Sequence, residues 1–195
     1  MGTRQRILDI SLAMFNHHGS ANITSLDIAA ELEISPGNLY YHFKGKEEII
    51  NQLSKECELA VSTLLARVDL EEISEPEYWV FLHSLLRVCL HYRFLFLDLQ
   101  TVAPDSGNRR AQRLMKQLHS FTSHSLAALE DKALLQLKGE NREELADNLF
   151  LLGLSWLCFD SGDSDEKAVE RGAHRLISLV NPHLTRQLNF ADIDQ

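Results

Sequence analysis

Basic residues are in the minority. The chain has 195 residues, with 19 Lys and Arg against 28 Asp and Glu and a formal net charge of −9. That balance excludes a protein that coats nucleic acid by bulk charge. It does not exclude a small nucleic-acid-reading module, whose affinity rests on local phosphate contacts. Cysteine is scarce: Cys57, Cys89 and Cys158 are odd in number, far apart and outside metal-ligand spacing. With no signal peptide, the expectation is reduced thiols in a cytoplasm. Long hydrophobic runs are missing. The longest, Leu149 to Phe159, contains Gly153 and Ser155 and is too short to cross a bilayer, so no membrane partner is expected. The chain also lacks GxSxG, P-loop, GxGxxG, CxxC and HExxH patterns, and has no paired carboxylates in an apolar context. No catalytic residue, cofactor or metal ion is therefore expected. Strand-like alternation, internal repeats and heptads are absent as well.

What is present is helical periodicity in a chain of ordinary globular composition, 45% hydrophobic and 24% charged. The most informative stretch is Thr24 to Glu48. Thr24-Ser25-Leu26-Asp27 has capping-box spacing, and Ile23 and Ile28 are placed to staple the helix that follows. Glu33 and Ile34 make a tight turn. Ser35 is a natural N-cap and Pro36 a natural first helical residue, so a second short helix is expected over Pro36 to Phe43. Leu39 and Phe43, one turn apart, face inward. Gly37, Asn38, Tyr41 and His42 then face outward, poor in charge and rich in groups that bond phosphates and base edges. A recognition helix in a major groove needs such a face.

The run SPGNLYYHFKGKEEII resembles the signature of the TetR-type (tetracycline-repressor-like) transcriptional regulators. In that family an aromatic pair, a His-Phe and a Lys opening the next helix close the helix-turn-helix; here they are Tyr40, Tyr41, His42, Phe43 and Lys46. The match runs from about Ile7 to Ile50. The rest of the chain is similar to the family only in length and helical character. The resemblance implies an all-α protein: a helix-turn-helix head over residues 1–48 and a helical effector-binding and dimerisation body over residues 49–195. It implies a repressor, active as a homodimer on a double-stranded operator and released by a small ligand. The DNA-contacting set would be Ser35, Pro36, Gly37, Asn38, Tyr40, Tyr41, His42 and Lys46. Thr24 and Ser25 carry lower weight, since their first role is capping. Tyr40 is open to two readings, packing aromatic and phosphate contact, and both can hold for an amphipathic ring.

In chain order, about nine helices are expected. The first covers Thr3 to about His17 behind a short arm carrying Arg4, and Gly19 ends it. The fourth runs from Lys46 to about Val68. Ser74-Glu75-Pro76-Glu77 starts a helix that is apolar nearly all round, interrupted at His91-Tyr92-Arg93 and resuming from Phe94 to Val102. A turn at Asp105 to Asn108 leads to one long helix, Arg109 to Leu137, with many polar members for a core helix: His119, Thr122, Ser123 and His124. An eighth helix covers Arg142 to about Phe159. A loop at Asp160 to Ser164 precedes a ninth helix ending near Leu184, and Asn189 to Gln195 is an acidic tail.

For most of the body aromatics, core packing is the base-rate reading. The functional reading gives the body an apolar pocket lined by Trp79, Leu82, Leu86, Phe94, Leu118, Phe121, Thr122 and Phe150. Leu149, Leu152, Trp156 and Leu176 are the candidates for a dimer interface. The competing class is a helical dimer that binds DNA constitutively, or answers to a protein partner, with no small-molecule effector.

Overall fold

The computed structural model describes residues 2–101, 109–139, 141–159 and 165–188. The expected turn at 105–108, loop at 160–164 and tail at 189–195 lie outside the described residues. Among the described residues the chain forms nine α-helices and no strand. By its contacts the chain divides into two compact units, one of Met1–Leu59 with Tyr92–Ala111, the other of Ala60–His91 with Gln112–Gln195.

In the first unit, α1 (Thr3–His18) buries Ile7, Leu8, Leu12 and Phe15 on one stripe and ends at Gly19, whose φ of 78° suits a residue without a Cβ. A 3-10 turn (Ser20–Asn22) leads into α2 (Ser25–Glu31). Ile23 and Ile28 are both buried at its start, as a staple requires. Glu33 takes φ 54° to turn the chain sharply, and α3 (Pro36–His42) follows. The fourth helix, α4 (Lys46–Leu65, belonging to this unit as far as Leu59), buries Ile49, Leu53 and Cys57. Burial, with Glu58 adding repulsion, pushes the Cys57 thiol up to about 12 and keeps it protonated and inert. From α6 (Arg93–Thr101), Phe94 and Phe96 are fully buried in the same unit.

The second unit contains α5 (Glu75–His91), α7 (Arg109–Asp131, from Gln112 on), α8 (Arg142–Phe159) and α9 (Asp165–Val180). The start of α5 is closed by a capping box: Ser74 donates from both its N–H and its hydroxyl to the Glu77 carboxylate, at 2.8 and 2.7 Å. Its buried faces carry Tyr78, Trp79, Phe81, Leu82, Leu86, Cys89 and Leu90, and α9 is its principal neighbour.

Two helix ends differ from the periodicity. The expected run of α7 to Leu137 stops at Asp131, because Ala133 adopts φ 58° and both Leu134 and Leu135 return their N–H groups to the Leu129 carbonyl. Beyond that point the chain pairs with the segment after α9. Gln136 donates to the His183 carbonyl at 2.8 Å and Thr185 to the Leu134 carbonyl at 2.9 Å, around an isolated bridge between the buried residues Leu135 and Leu184. The ninth helix closes at Val180 into a 3-10 turn (Asn181–His183) holding Pro182, short of the expected Leu184.

Candidate nucleic-acid interface

Two local caps hold the reading helices. Thr24 Oγ1 accepts from the Asp27 N–H at 3.2 Å and donates to the Asp27 carboxylate at 2.6 Å, while the Thr24 N–H donates to that carboxylate at 2.8 Å. These bonds hold the Asp27 carboxyl below its ordinary value of 3.8, the Thr24 side chain contributing most. Thr24 is thus committed to its helix, and Ser25 beside it is half-buried. At α3, Ser35 Oγ accepts from the Asn38 N–H at 3.2 Å and Pro36 occupies the first turn.

With the caps fixed, α3 divides as the spacing predicts. Leu39 and Phe43 are buried. Ser35, Pro36, Gly37 and Asn38 are exposed, Tyr40 is 49% exposed and Tyr41 84% exposed. His42 is half-buried, its ring edge-on to Tyr41 at 5.1 Å. A tyrosine this exposed contributes nothing to its own core. It offers a large ring and a hydroxyl to whatever covers it.

Positive charge near this face is placed by bonds the sequence does not signal. Lys46 Nζ donates to the Ser20 carbonyl at 2.9 Å. An ammonium has three donors, so this bond fixes where the charge sits and leaves donors for a phosphate. Arg4 lies in the first turn of α1 instead of on a free arm, its guanidinium 4.6 Å above the Phe43 ring.

The residues expected to line a ligand pocket are placed as follows. Trp79, Leu82, Leu86, Phe94, Leu118 and Thr122 are buried within the chain, and Phe121 and Phe150 are half-buried. Phe94 belongs to the same unit as the reading helices, packed on Phe15 at 5.2 Å; the others fall in the second unit. There Trp79 meets His174 at 5.1 Å, Phe121 meets Phe81 at 5.0 Å and Phe150 meets His119 at 5.2 Å. The polar groups of α7 are engaged. His119 Nε2 lies 2.6 Å from Asp147, Ser123 donates to Glu143 at 3.1 Å, and Thr122 donates to the Leu118 carbonyl at 3.0 Å. The Tyr78 hydroxyl is buried beside Ser125. Burial pushes its pKa up, the nearby Ser125 opposing that, so it stays a donor.

Two of the grooves on the second unit border the end of α4, and periodicity had no way to indicate them. One, of about 400 Å³, is lined by Leu64, Val68, Ile73, Pro76, Val80 and Phe81, with Arg67, Asp69, Glu72 and Glu77 also lining it. The other, of about 390 Å³, is lined by Ser62, Leu65, Ala66, Gln117, Ser120, Phe121 and His124.

Of the interface candidates, Leu149 and Leu176 are buried by their own chain, and Leu152 and Trp156 are half-buried. Trp156 Nε1 donates to the Ala168 carbonyl at 3.0 Å, and Arg175 lies over its ring at 5.2 Å. Leu151, not singled out by periodicity, is 59% exposed on α8. No helix among the described residues is long and apolar enough to cross a membrane.

Comparison with known proteins places this geometry. A family model described as bacterial regulatory proteins, tetR family, matches residues 7–53. A second, described as bacterial transcriptional repressor, matches residues 57–189. The chain is similar to the crystal structure of a TetR-family transcriptional regulator from Marinobacter aquaeolei VT8, with TM-score 0.80 and 32% identity over 95% of this chain and 92% of that one. It is 24% identical, over 94% of this chain and 100% of the relative, to the biofilm operon icaADBC HTH-type negative transcriptional regulator IcaR of Staphylococcus epidermidis. The SmeT–triclosan complex shares the fold at TM-score 0.53 and 20% identity, over 91% of each chain.

Proposed function

The chain belongs to the tetR family of bacterial regulatory proteins and is a DNA-binding transcriptional regulator, and from that premise we propose that it is a homodimeric repressor freed from its operator by a small, mostly apolar molecule. The observation that carries the DNA-reading assignment is the outward face of α3, where Gly37, Asn38 and Tyr41 are exposed while Leu39 and Phe43 anchor the helix. Asn38 and Tyr41 read base edges; Tyr40, His42 and Lys46 contact phosphates, with Ser25 beside the α2 cap. Repression is the direction stated for IcaR. A role without catalysis, exercised in the cytoplasm, accords with the family. Residues 1–48 are the reading head and residues 49–195 the body.

One head offers too few contacts for tight specific binding, and two-fold symmetry doubles them. The pairing surface is α8 with α9. Leu151 is the exposed apolar group there and Leu152 is half-exposed, while Leu149, Trp156 and Leu176 stiffen the surface from behind. Sedimentation should show a dimer at micromolar concentration, and a monomer under those conditions overturns the pairing.

The sensing role rests on two grooves, each within the size range of small-molecule sites. The shared fold of SmeT, known in complex with triclosan, supports it. A ligand moves the heads only by binding one arrangement of the chain better than the other. A differential affinity of about 1–3 kcal/mol releases operator five- to 150-fold more readily, and operator must weaken ligand by the same factor. Titrating a compound with and without operator tests this. Equal affinities eliminate that compound as effector.

A further inference from the structure

Between Thr24 and Phe43 three large apolar side chains stand exposed. Tyr40 and Tyr41 lie on α3, and the third, Leu26, is 58% exposed in the first turn of α2. The rest of α2 sorts by helical spacing. Ile28 and Ala29 are buried, and Leu32, just past the helix, is buried with them. On one flank of that stripe Asp27 and Glu31, one turn apart, are exposed and acidic. The Asp27 carboxylate is held ionised by its bonds to Thr24. On the other flank Leu26 and Ala30, also one turn apart, are exposed and carry no charge. Duplex DNA carries one negative charge per about 1.7 Å of its axis, and in a helix-turn-helix the first helix crosses that backbone. An acidic flank turned towards the phosphates is repelled, and the charge-free flank is not. A cation is fixed in the turn just ahead of α2, where Lys46 Nζ donates to the Ser20 carbonyl. Leucine, by contrast, has no atom that bonds a phosphate. On the base edges of a major groove its apolar partner is the 5-methyl group of thymine.

We propose that Leu26 is a further specificity-determining residue, reading a thymine methyl at a base pair beside those read by α3. This rests on the DNA-reading assignment above and adds to it a contact of a different kind. Asn38 selects a base through hydrogen bonds to its edge. Leu26 selects by removing apolar surface from water, so its contribution is carried by one methyl group and not by the hydrogen-bonding edge. The exposure of Leu26 is what such a contact requires, since the side chain has no core of its own to fill.

The test uses the full-length protein and an operator obtained by selection from random DNA. Each thymine of that operator is replaced in turn by uracil, which removes the 5-methyl group and leaves the pairing edge intact. In the wild-type protein at least one such replacement should weaken binding about fourfold, the worth of one buried methyl group. Leu26→Ala should bind the parent operator more weakly by at least about that factor. It should also reduce the penalty at that thymine to less than about 1.5-fold, with every other penalty unchanged. Its melting temperature should stay within about 1 °C, because the side chain is exposed. Leu26→Glu, which places an anion on the same flank, should weaken operator and random DNA alike. An operator whose uracil versions all bind like the parent overturns the proposal. So does a penalty that persists in Leu26→Ala, or an unchanged affinity in Leu26→Glu. A Leu26→Ala protein that sediments differently while keeping every uracil penalty assigns the side chain to a contact between proteins, and overturns it too. A selection that recovers no operator overturns the DNA-reading assignment itself, so the two failures are distinguishable.

Discussion

Gly172 on α9 offers the sharpest test of how the second unit is packed. A Cβ there would press on the Trp156 indole nitrogen, 2.6 Å from its Cδ1, and would stand 3.1 Å from a Leu86 methyl. The indole is rigid, with the Arg175 guanidinium over its ring and its nitrogen bonded to the Ala168 carbonyl, so it cannot move without giving up those contacts. Forcing a methyl into such a site costs about 1–3 kcal/mol. Displacing the indole also loses a hydrogen bond worth about 0.5–1.5 kcal/mol net. Against this, replacing glycine within a helix returns about 0.8–1.0 kcal/mol. Gly172→Ala should therefore destabilise the protein by about 1–3 kcal/mol, and at about 2 kcal/mol the melting temperature falls by about 4–8 °C for a chain of this size. Gly153 on α8 is the internal control. Its Cβ would make only ordinary contact, 3.9 Å from a Leu176 methyl, so Gly153→Ala should keep most of the helical gain and raise stability by up to about 1 kcal/mol. Thermal and urea melts at one fixed protein concentration, so that dimerisation does not contribute, compare the two. A melting temperature raised by both substitutions would falsify the close packing of Trp156 against α9.

Three further predictions concern the reading unit. Tyr41→Ala and Asn38→Ala should change which sequences a selection recovers while leaving the melting temperature within about 1 °C, since both side chains are exposed; an unchanged consensus refutes their base-reading role. Lys46→Ala should weaken all sequences alike and reduce the slope of log affinity against log salt by about 0.9, checked by titration at several salt concentrations, and an unchanged slope removes Lys46 from the phosphate contacts. The Asp27 carboxyl has a lowered folded pKa, so its stabilisation is present above the unfolded value and lost as pH falls through the folded one. The difference in melting temperature between wild type and Asp27→Asn should hold near pH 6 and close below the ordinary value of 3.8; a difference independent of pH refutes the capping role.

The helix-turn-helix was legible because everything that specifies it is local. Thr24 and Asp27 are three residues apart, as are Ser35 and Asn38, and Leu39 with Phe43 needs only one turn of periodicity. What escaped the sequence is what joins distant segments. The end of α7 could not be placed, because Leu134, Leu135 and Leu137 continue an apolar pattern; the helix stops there to pair with Leu184 and Thr185, about fifty residues on. The Lys46 bond to the Ser20 carbonyl and the bond from the Phe94 N–H to Asn16 involve backbone groups that carry no sequence signal. Periodicity likewise identified α8 as broadly apolar without separating Leu149, which faces its own chain, from Leu151, which faces out.

The polar residues of α7 show how this limit bears on function. An excess of hydroxyls and imidazoles on a core helix pointed to ligand contacts, yet His119 and Ser123 reach Asp147 and Glu143 on α8, and Thr122 returns to its own backbone. Those bonds tie α7 to α8, the helix proposed to pair with a second copy. The case for sensing therefore shifts to the grooves bordered by Leu64, Leu65 and Val68. Leu64 and Leu65 belong to the last turn of α4, whose first residue, Lys46, is bonded to the turn ahead of the α2 cap. Under the sensing proposal, a molecule seated in either groove would therefore touch α4 itself, the helix that Lys46 opens.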